Sequence, residues 1–300
     1  MNMKNADIMQ NASPLAEPGK KTNQFKVFLK RLCKNKLAVA GLAIFLVLAI
    51  LAVLSPEIIP YGYDQIDMTA RLEAPSWEHI FGTDQLGRDI FSRILYGGRY
   101  SLSLGVFAIA LAMAMGIVVG ATAGFFGGWV DIILMRILDI LQALPTIFLA
   151  ILISALLGNG YGTTIVALAV PRVASFSRLI RAQFLKMSNE EYVEAAKSIG
   201  SNRVIIMMRH ILPNALQPLI VSATMGLANT VLQAASLSFI GLGIQAPIPE
   251  WGAMLSGARD YMRDYPWLVI VPGIFIFITV LSLNLFGDGI RDALDPKLKD

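Results

Sequence analysis

The chain has 300 residues, 55% of them hydrophobic and only 15% charged, with a mean hydropathy of +0.61. Soluble domains carry about 25% charged residues, so this composition argues against a soluble globular domain and excludes a disordered or collagen-like chain. The net charge of +4, from 25 Lys and Arg against 21 Asp and Glu, comes without the patterns that would point to nucleic acid. The single cysteine, Cys33, leaves no intrachain disulfide and no Cys-based zinc site. His79 and His210 are too few for a metal cage, so no metal site is expected.

In chain order, residues 1–24 are polar and predicted to be disordered. Residues 25–36 mix basic and apolar residues, the pattern of a helix lying on a membrane surface, and 37–54 are uncharged and long enough to cross it. Ser55-Pro56-Glu57 is a poor cleavage site, so this first span reads as an uncleaved anchor, with 25–56 forming one unit. Residues 57–100 form a long segment outside the bilayer. A second span covers 101–126, followed by a tight turn around Gly127-Gly128. The third is 140–157, extendable through 132–138 despite Arg136 and Asp139. After the turn Gly158-Asn159-Gly160-Tyr161-Gly162 comes the weakest span, 163–180, which holds Pro171, Arg172 and Arg178. Residues 183–213 are a large polar loop, 214–241 a fifth span, 242–266 a second external segment and 267–287 a sixth span. The expected fold is an all-α membrane protein with six transmembrane helices, one N-terminal and five in a core within 101–300.

The distribution of positive charge predicts the orientation. With the N-terminus inside, all eleven lysines are cytoplasmic, together with Arg31, Arg136, Arg178, Arg181, Arg203, Arg209 and Arg291. Arg71, Arg88, Arg93, Arg99, Arg259 and Arg263 are then outside, and Arg172 remains at membrane depth. Both termini are therefore expected in the cytoplasm.

The loop 183–213 carries the most local information. Ser188 followed by Glu191 has the spacing of a capping box, Lys197 lies late in the same helix, and Gly200 stands where a left-handed cap ends it. Tyr192, Ala195, Ala196 and Ile199 share a stripe at helical spacing. Ser201 and Asn202 are placed to cap a second short helix, Arg203 to His210, which Pro213 is expected to stop. Val204, Ile205, Met207 and Met208 form an apolar cluster of adaptable side chains. Two readings follow from the pattern, a loop packed back on the spans or headgroups and a docking surface for another protein.

Glu194-Ala195-Ala196, Gly200 and Leu212-Pro213 resemble the EAA loop of bacterial ABC importer permeases. Glu191-Tyr192-Val193-Glu194-Ala195-Ala196-Lys197-Ser198-Ile199-Gly200 and Arg209-His210-Ile211-Leu212-Pro213-Asn214 resemble its dipeptide, oligopeptide and nickel branch. His210 stands where the general pattern has Ile, and an Arg-His pair is usual in that branch. Phe81 to Arg93, Leu237 to Gly243 with Pro249 to Leu255, and Asn284 to Pro296 carry the same likeness, closest to the "C" permease subunit. It extends over about residues 25–300.

This resemblance implies a type I ABC importer permease fold and a complex in a bacterial or archaeal plasma membrane. It implies a related "B" permease as partner, two cytoplasmic ATPases bound at the EAA loop, an extracytoplasmic binding protein, a di- or oligopeptide cargo and surrounding lipid. ATP and Mg would sit in the ATPases, since no Gly-x-x-x-x-Gly-Lys-Ser/Thr occurs here, and no catalytic residue or cofactor is expected in this chain. The residues implied for ATPase coupling are Glu191, Glu194, Ala195, Ala196, Gly200, Arg203 and Met207. Asp84, Arg88, Asp89 and Arg93, with Glu250 and Trp251, either pack a helix over the bundle or line an external vestibule that meets the binding protein. Asp89 and Arg93 are spaced to pair, and Trp251 to anchor at the interface. Arg172, Asn229 and Gln233 are candidates for the translocation path, Arg172 because a charge at that depth must face a partner or water. The same architecture importing nickel, glutathione or a metal chelate, and a secondary transporter or channel, are the alternative readings.

Overall fold

The computed structural model describes residues 24–294, and among them every regular element is helical. The expected disordered tail lies outside the described residues apart from Gln24, as do Lys297 and Lys299. Helix α1 (Gln24–Lys34) is joined through Asn35 to α2 (Lys36–Ile58), whose first turn is capped where the Asn35 side chain accepts from the Ala38 N–H at 3.2 Å. Helix α3 (Ile90–Phe126) begins a full eleven residues before the expected span. At 37 residues it is about 55 Å long, well beyond a bilayer core of about 30 Å, so its first turns stand clear of the apolar slab. Helices α4 (Gly128–Gln142) and α5 (Thr146–Leu157) follow, then α6 (Tyr161–Met187) and the short α7 (Glu191–Ser198). Helix α8 (Arg203–Ile205) runs through a widened turn into α9 (Leu212–Phe239), and α10 (Trp251–Gly257) and α11 (Trp267–Leu294) complete the chain.

The expected third span is not one straight helix. Helices α4 and α5 meet at 89°, and the break falls at Ala143-Leu144-Pro145. Proline lacks the amide that would continue the ladder and excludes the residue before it from helical geometry. The pair nonetheless makes one crossing. Asp131 near the start of α4 is bound to Arg181 near the end of α6, whereas Asn159, just past α5, donates to the Gly241 carbonyl beyond the far end of α9 at 3.1 Å. Five unbroken apolar helices plus this bent pair give six crossings, as the sequence predicts.

Both ends of the described chain share one face: Leu32 of α1 packs with Ile290 and Ala293 of α11. The arm formed by α7 and α8 projects from that face. The opposite face carries residues 59–89, the 158–160 turn and the α10 segment.

The closest helix contact is the parallel pair α3 and α6. Gly116, Gly120 and Gly124 recur every fourth residue on one side of α3 and admit the α6 backbone. A Cβ at Gly116 would lie 2.5 Å from Phe176 Cβ and one at Gly124 2.7 Å from Phe184 Cβ, and one at Gly120 would collide with the Ser177 carbonyl. Because lipid tails are as apolar as leucine, such close backbone approach is what holds helices together in a bilayer. Asp131 and Asp139 then tie α4 to α6 through Arg181 and Arg178, the first as a two-pronged guanidinium fork.

Gly120→Ala is expected to lower the thermal stability of the detergent-purified protein by the equivalent of about 1–3 kcal/mol, the usual cost of overpacking. Gly273→Ala on α11, where a Cβ meets nothing within 4 Å, serves as the control. Equal melting temperatures for the two variants would contradict this account of the α3–α6 contact.

Candidate functional site

The arm is built differently at its start from the spacing argument. Ser188 continues the last turn of α6, and its hydroxyl donates to the Phe184 carbonyl at 2.7 Å. It is therefore not the N-cap of α7, and no capping box forms with Glu191. The end of α6 takes the hydroxyl first because its own last carbonyls need donors. Glu190 occupies the N-cap position in extended backbone (φ −79°, ψ 144°) without a side-chain cap bond. Glu191 and Glu194 lie in the first turn of α7 and Lys197 in the last, where the helix dipole favours each sign. Lys197 also donates to the Ser188 carbonyl at 3.2 Å, tying the two helices at their junction.

The exit from α7 follows the sequence reading. Gly200 has φ +79°, its N–H donates to the Lys197 carbonyl at 3.0 Å, and Ser201 N–H reaches the Ala196 carbonyl at 3.1 Å. These are the two bonds of a Schellman cap. Asn202, rather than Ser201, then caps the next helix by accepting from the Val204 N–H at 2.9 Å.

Pro213 does not stop that second helix. Ile206–Ile211 form a π-type turn, in which the Leu212 N–H reaches back five residues to the Met207 carbonyl. A widened turn relieves the clash that a proline ring makes with the carbonyl four residues earlier. The His210 carbonyl is taken up by the Asn214 side-chain amide at 3.0 Å. The arm's second limb is thereby continuous with a membrane span over Arg203–Phe239.

The arm has two sides, and the expected apolar stripe is divided between them. Val193 and Ala196 are buried with Phe184, Ile206 and Ile211 in the main core, and Met207 packs half-buried against the same cluster. Tyr192, Ala195 and Ile199 face outward, with Ile199 82% exposed, and Val204, Ile205 and Met208 extend that surface along the second limb. Of the seven coupling candidates, Glu191, Glu194, Ala195, Gly200 and Arg203 are exposed. Ala196 and Met207 point inward and anchor the arm.

On the opposite face, the six candidates are all buried, in three separate polar groups. Asp84 receives Arg88 Nε at 2.8 Å and Arg93 Nε lies 3.5 Å from the same carboxylate. Arg93 also donates to the Tyr63 carbonyl at 2.7 Å. Asp89 does not pair with Arg93. It caps α3 by accepting from the Ser92 N–H at 2.7 Å and pairs with His79 Nδ1 at 3.0 Å, because its N-cap backbone turns the carboxylate back along the chain. Trp251 is no interfacial anchor: it is 2% exposed, wedged against Gly98, with its indole N–H donating to the Ile94 carbonyl at 3.0 Å.

Glu250 is buried, caps α10 by accepting from the Ala253 N–H at 2.9 Å, and accepts from the Ser101 hydroxyl at 3.1 Å. Desolvation pushes its carboxyl above the usual carboxylate range, against the pull of those donors. A shallow cavity opens beside the first of these groups, between Asp84, Arg88 and Arg93 on one side and Ala246, Met254 and Leu268 on the other.

The path candidates lie between the two faces. Arg172 is half-buried on α6, with its guanidinium against Gly226 of α9, and Gln233 is half-buried and Asn229 exposed on α9. Among the described residues no group of His, Cys, Asp and Glu could hold a metal ion. Sequence reasoning missed the Gly116, Gly120 and Gly124 row, although its fourfold spacing was visible, and the Asp131–Arg181 bond, which had no sequence signal at fifty residues' separation.

Two outcomes are expected for these groups. Asp84→Asn, which leaves two buried guanidinium groups without their carboxylate, should cost about 3–5 kcal/mol in unfolding measurements; unchanged melting would refute the pairing. A carboxyl raised on folding contributes fully below its ordinary value near 4.5 and loses that contribution as pH rises through the folded value. Wild-type melting temperature should therefore fall over that range relative to Glu250→Gln, and parallel pH profiles would show Glu250 to be unperturbed.

Comparison with known proteins assigns the chain a family. Residues 116–300 match the binding-protein-dependent transport system inner membrane component, and residues 23–75 match the N-terminal TM domain of oligopeptide transport permease C. The dipeptide transport system permease protein DppC of Alkalihalophilus pseudofirmus is 44% identical over 96% of this chain and 95% of its own. The glutathione transport system permease protein GsiD of Pectobacterium atrosepticum is 45% identical over 92% of each chain. A solved structure of the MetNI methionine ABC transporter in an inward-facing conformation shares the fold. It superposes with a TM-score of 0.52 at 20% identity, covering 66% of this chain and 94% of that one.

Proposed function

Because this chain belongs to the binding-protein-dependent transport system inner membrane components and is a multi-pass ABC importer permease, we propose that it is the C-type half of a peptide importer. Two relatives named for dipeptide and for glutathione transport stand at nearly equal identity. The cargo class they have in common is a short peptide with free carboxylates. A related permease completes the transmembrane pathway, two ATPase subunits carry ATP and Mg, and an extracytoplasmic binding protein delivers the cargo. The charge distribution supports placing both termini and the arm in the cytoplasm of a bacterial cell.

The observation that carries this reading is the two-sided arm. Val193 and Ala196 bind it to the bundle while Tyr192, Ala195, Ile199, Val204, Ile205 and Met208 stand exposed. An apolar surface of this kind, held rigid and out of the core, is a protein contact. The cap at Gly200 stiffens its corner, and the unbroken run Arg203–Phe239 makes its second limb the end of a span. Closure of an ATPase dimer would then displace α9 directly, shifting the bundle between two states without a flexible link.

Ile199→Asp is expected to weaken ATPase association by about 2 kcal/mol or more, as at an interface hot spot, while the permease itself melts normally. Gly200→Val forces a branched side chain into left-handed backbone, at a cost of about 1–3 kcal/mol, and should uncouple ATP hydrolysis from uptake. Copurification and uptake assays in cells expressing these variants decide the matter. Wild-type levels of both with Ile199→Asp would refute arm docking.

A further inference from the structure

The buried arginines on the far face have carboxylate or carbonyl partners, but Arg172 has none among the described residues. It lies eleven residues from Tyr161 and fifteen from Met187 along α6, about 16 Å and 22 Å at the helical rise, which puts it near mid-bilayer. Its Nε is buried without a hydrogen-bond partner, and none of its nitrogens pairs with a described residue. Among the described residues no counterion is available at that depth. Helices α3, α5, α6 and α9 contain no Asp or Glu, those of α2 and α11 lie near the helix ends, and Asp131 and Asp139 of α4 are taken by Arg181 and Arg178.

The guanidinium rests on Gly226, where an added Cβ would lie 3.1 Å from Nη1. Gly226 belongs to a row on α9, Ser222, Gly226, Asn229, Gln233 and Ser236, spaced every three or four residues on one side of the helix. None of the five is buried, whereas Ala223, Ala228, Thr230 and Val231 turn inward. The Asn229 and Gln233 amides, like Arg172, have no hydrogen-bond partner among the described residues. Unpaired amides do not face hydrocarbon, so this side of α9 faces water or protein.

We propose that Arg172 is the cation that engages the carboxylate of the cargo as it moves along this row. The inference rests on the reading of the chain as a peptide importer. Every peptide cargo brings a carboxylate, and the guanidinium fork matches it with two parallel hydrogen bonds. The row spans fourteen residues, about 21 Å, without an acidic residue to compete for the cation. A fixed ion pair with the second permease would need one contact point, whereas the Asn229 and Gln233 amides, continuing along α9 from Gly226 where Arg172 rests, suit a solute in transit.

The test uses the whole importer in proteoliposomes with its binding protein, comparing wild type, Arg172→Gln and Arg172→Lys. Uptake is measured for alanyl-alanine and for glutathione, alongside binding-protein-stimulated ATP hydrolysis and complex melting. Arg172→Gln should assemble, melt at or above the wild-type temperature and hydrolyse ATP, yet lose at least about tenfold in uptake; Arg172→Lys should retain much of it. The proposal is overturned if Arg172→Gln transports within about twofold of wild type. It is equally overturned if Arg172→Gln dissociates from the second permease, which would reveal a fixed intersubunit pair, or if Arg172→Lys fails with lowered melting, which would reveal a packing role. A wild-type complex that hydrolyses ATP but takes up neither cargo overturns the peptide reading itself, and is recognised because the defect precedes any substitution.

Discussion

The backbone contact between α3 and α6 sets the frame for everything else. Where Gly116, Gly120 and Gly124 lie against Phe176, Ser177 and Phe184, two long helices run side by side with no α3 side chain between them. In lipid there is no hydrophobic force to press helices together, so contact of this kind and the Asp131–Arg181 fork replace it. With α6 held, its last turn at Met187 fixes where the arm departs. Its middle, at Arg172, fixes where the unpaired charge meets α9.

The arm and the span it feeds are mechanically one object. A proline at the start of a span would ordinarily separate a surface helix from a membrane helix. Here the π-type turn over Ile206–Ile211 absorbs Pro213, and Asn214 takes the His210 carbonyl that the turn leaves over. A force applied to the exposed edge at Ile199 and Val204 therefore reaches the polar row of α9 through continuous helix. The inward pair Val193 and Ala196 keeps that lever seated on the bundle.

The buried charges divide by partner. Asp84, Arg88, Arg93, Asp89 and His79 satisfy one another at the head of α3 and hold residues 59–89 over the bundle, so their burial is structural. Glu250 accepts two donors and lies above its usual range because it is desolvated. Arg172 has neither acid nor acceptor among the described residues, and that difference is what the proposed contact with cargo rests on.

Much of this was legible in the residues themselves. Five uncharged runs and the weaker 163–180 segment define six crossings, because helices spare hydrocarbon from unpaired backbone, and Gly200 marks its helix end because only glycine enters left-handed backbone without strain. The motif residues at Glu194-Ala195-Ala196, Gly200 and Leu212-Pro213 pointed to the importer permeases. Other features depend on competition between distant groups, which linear spacing does not record. Ser188 served the end of α6 rather than the start of α7, Asp89 chose Ser92 and His79 over Arg93, and Trp251 found a glycine-lined slot in α3 in place of the interface. Sequence alone determined which segments cross the membrane, since that rests on the transfer free energy of each segment taken by itself. Only the tertiary structure decided which polar groups are left without partners, since that depends on what every other helix brings to the same place.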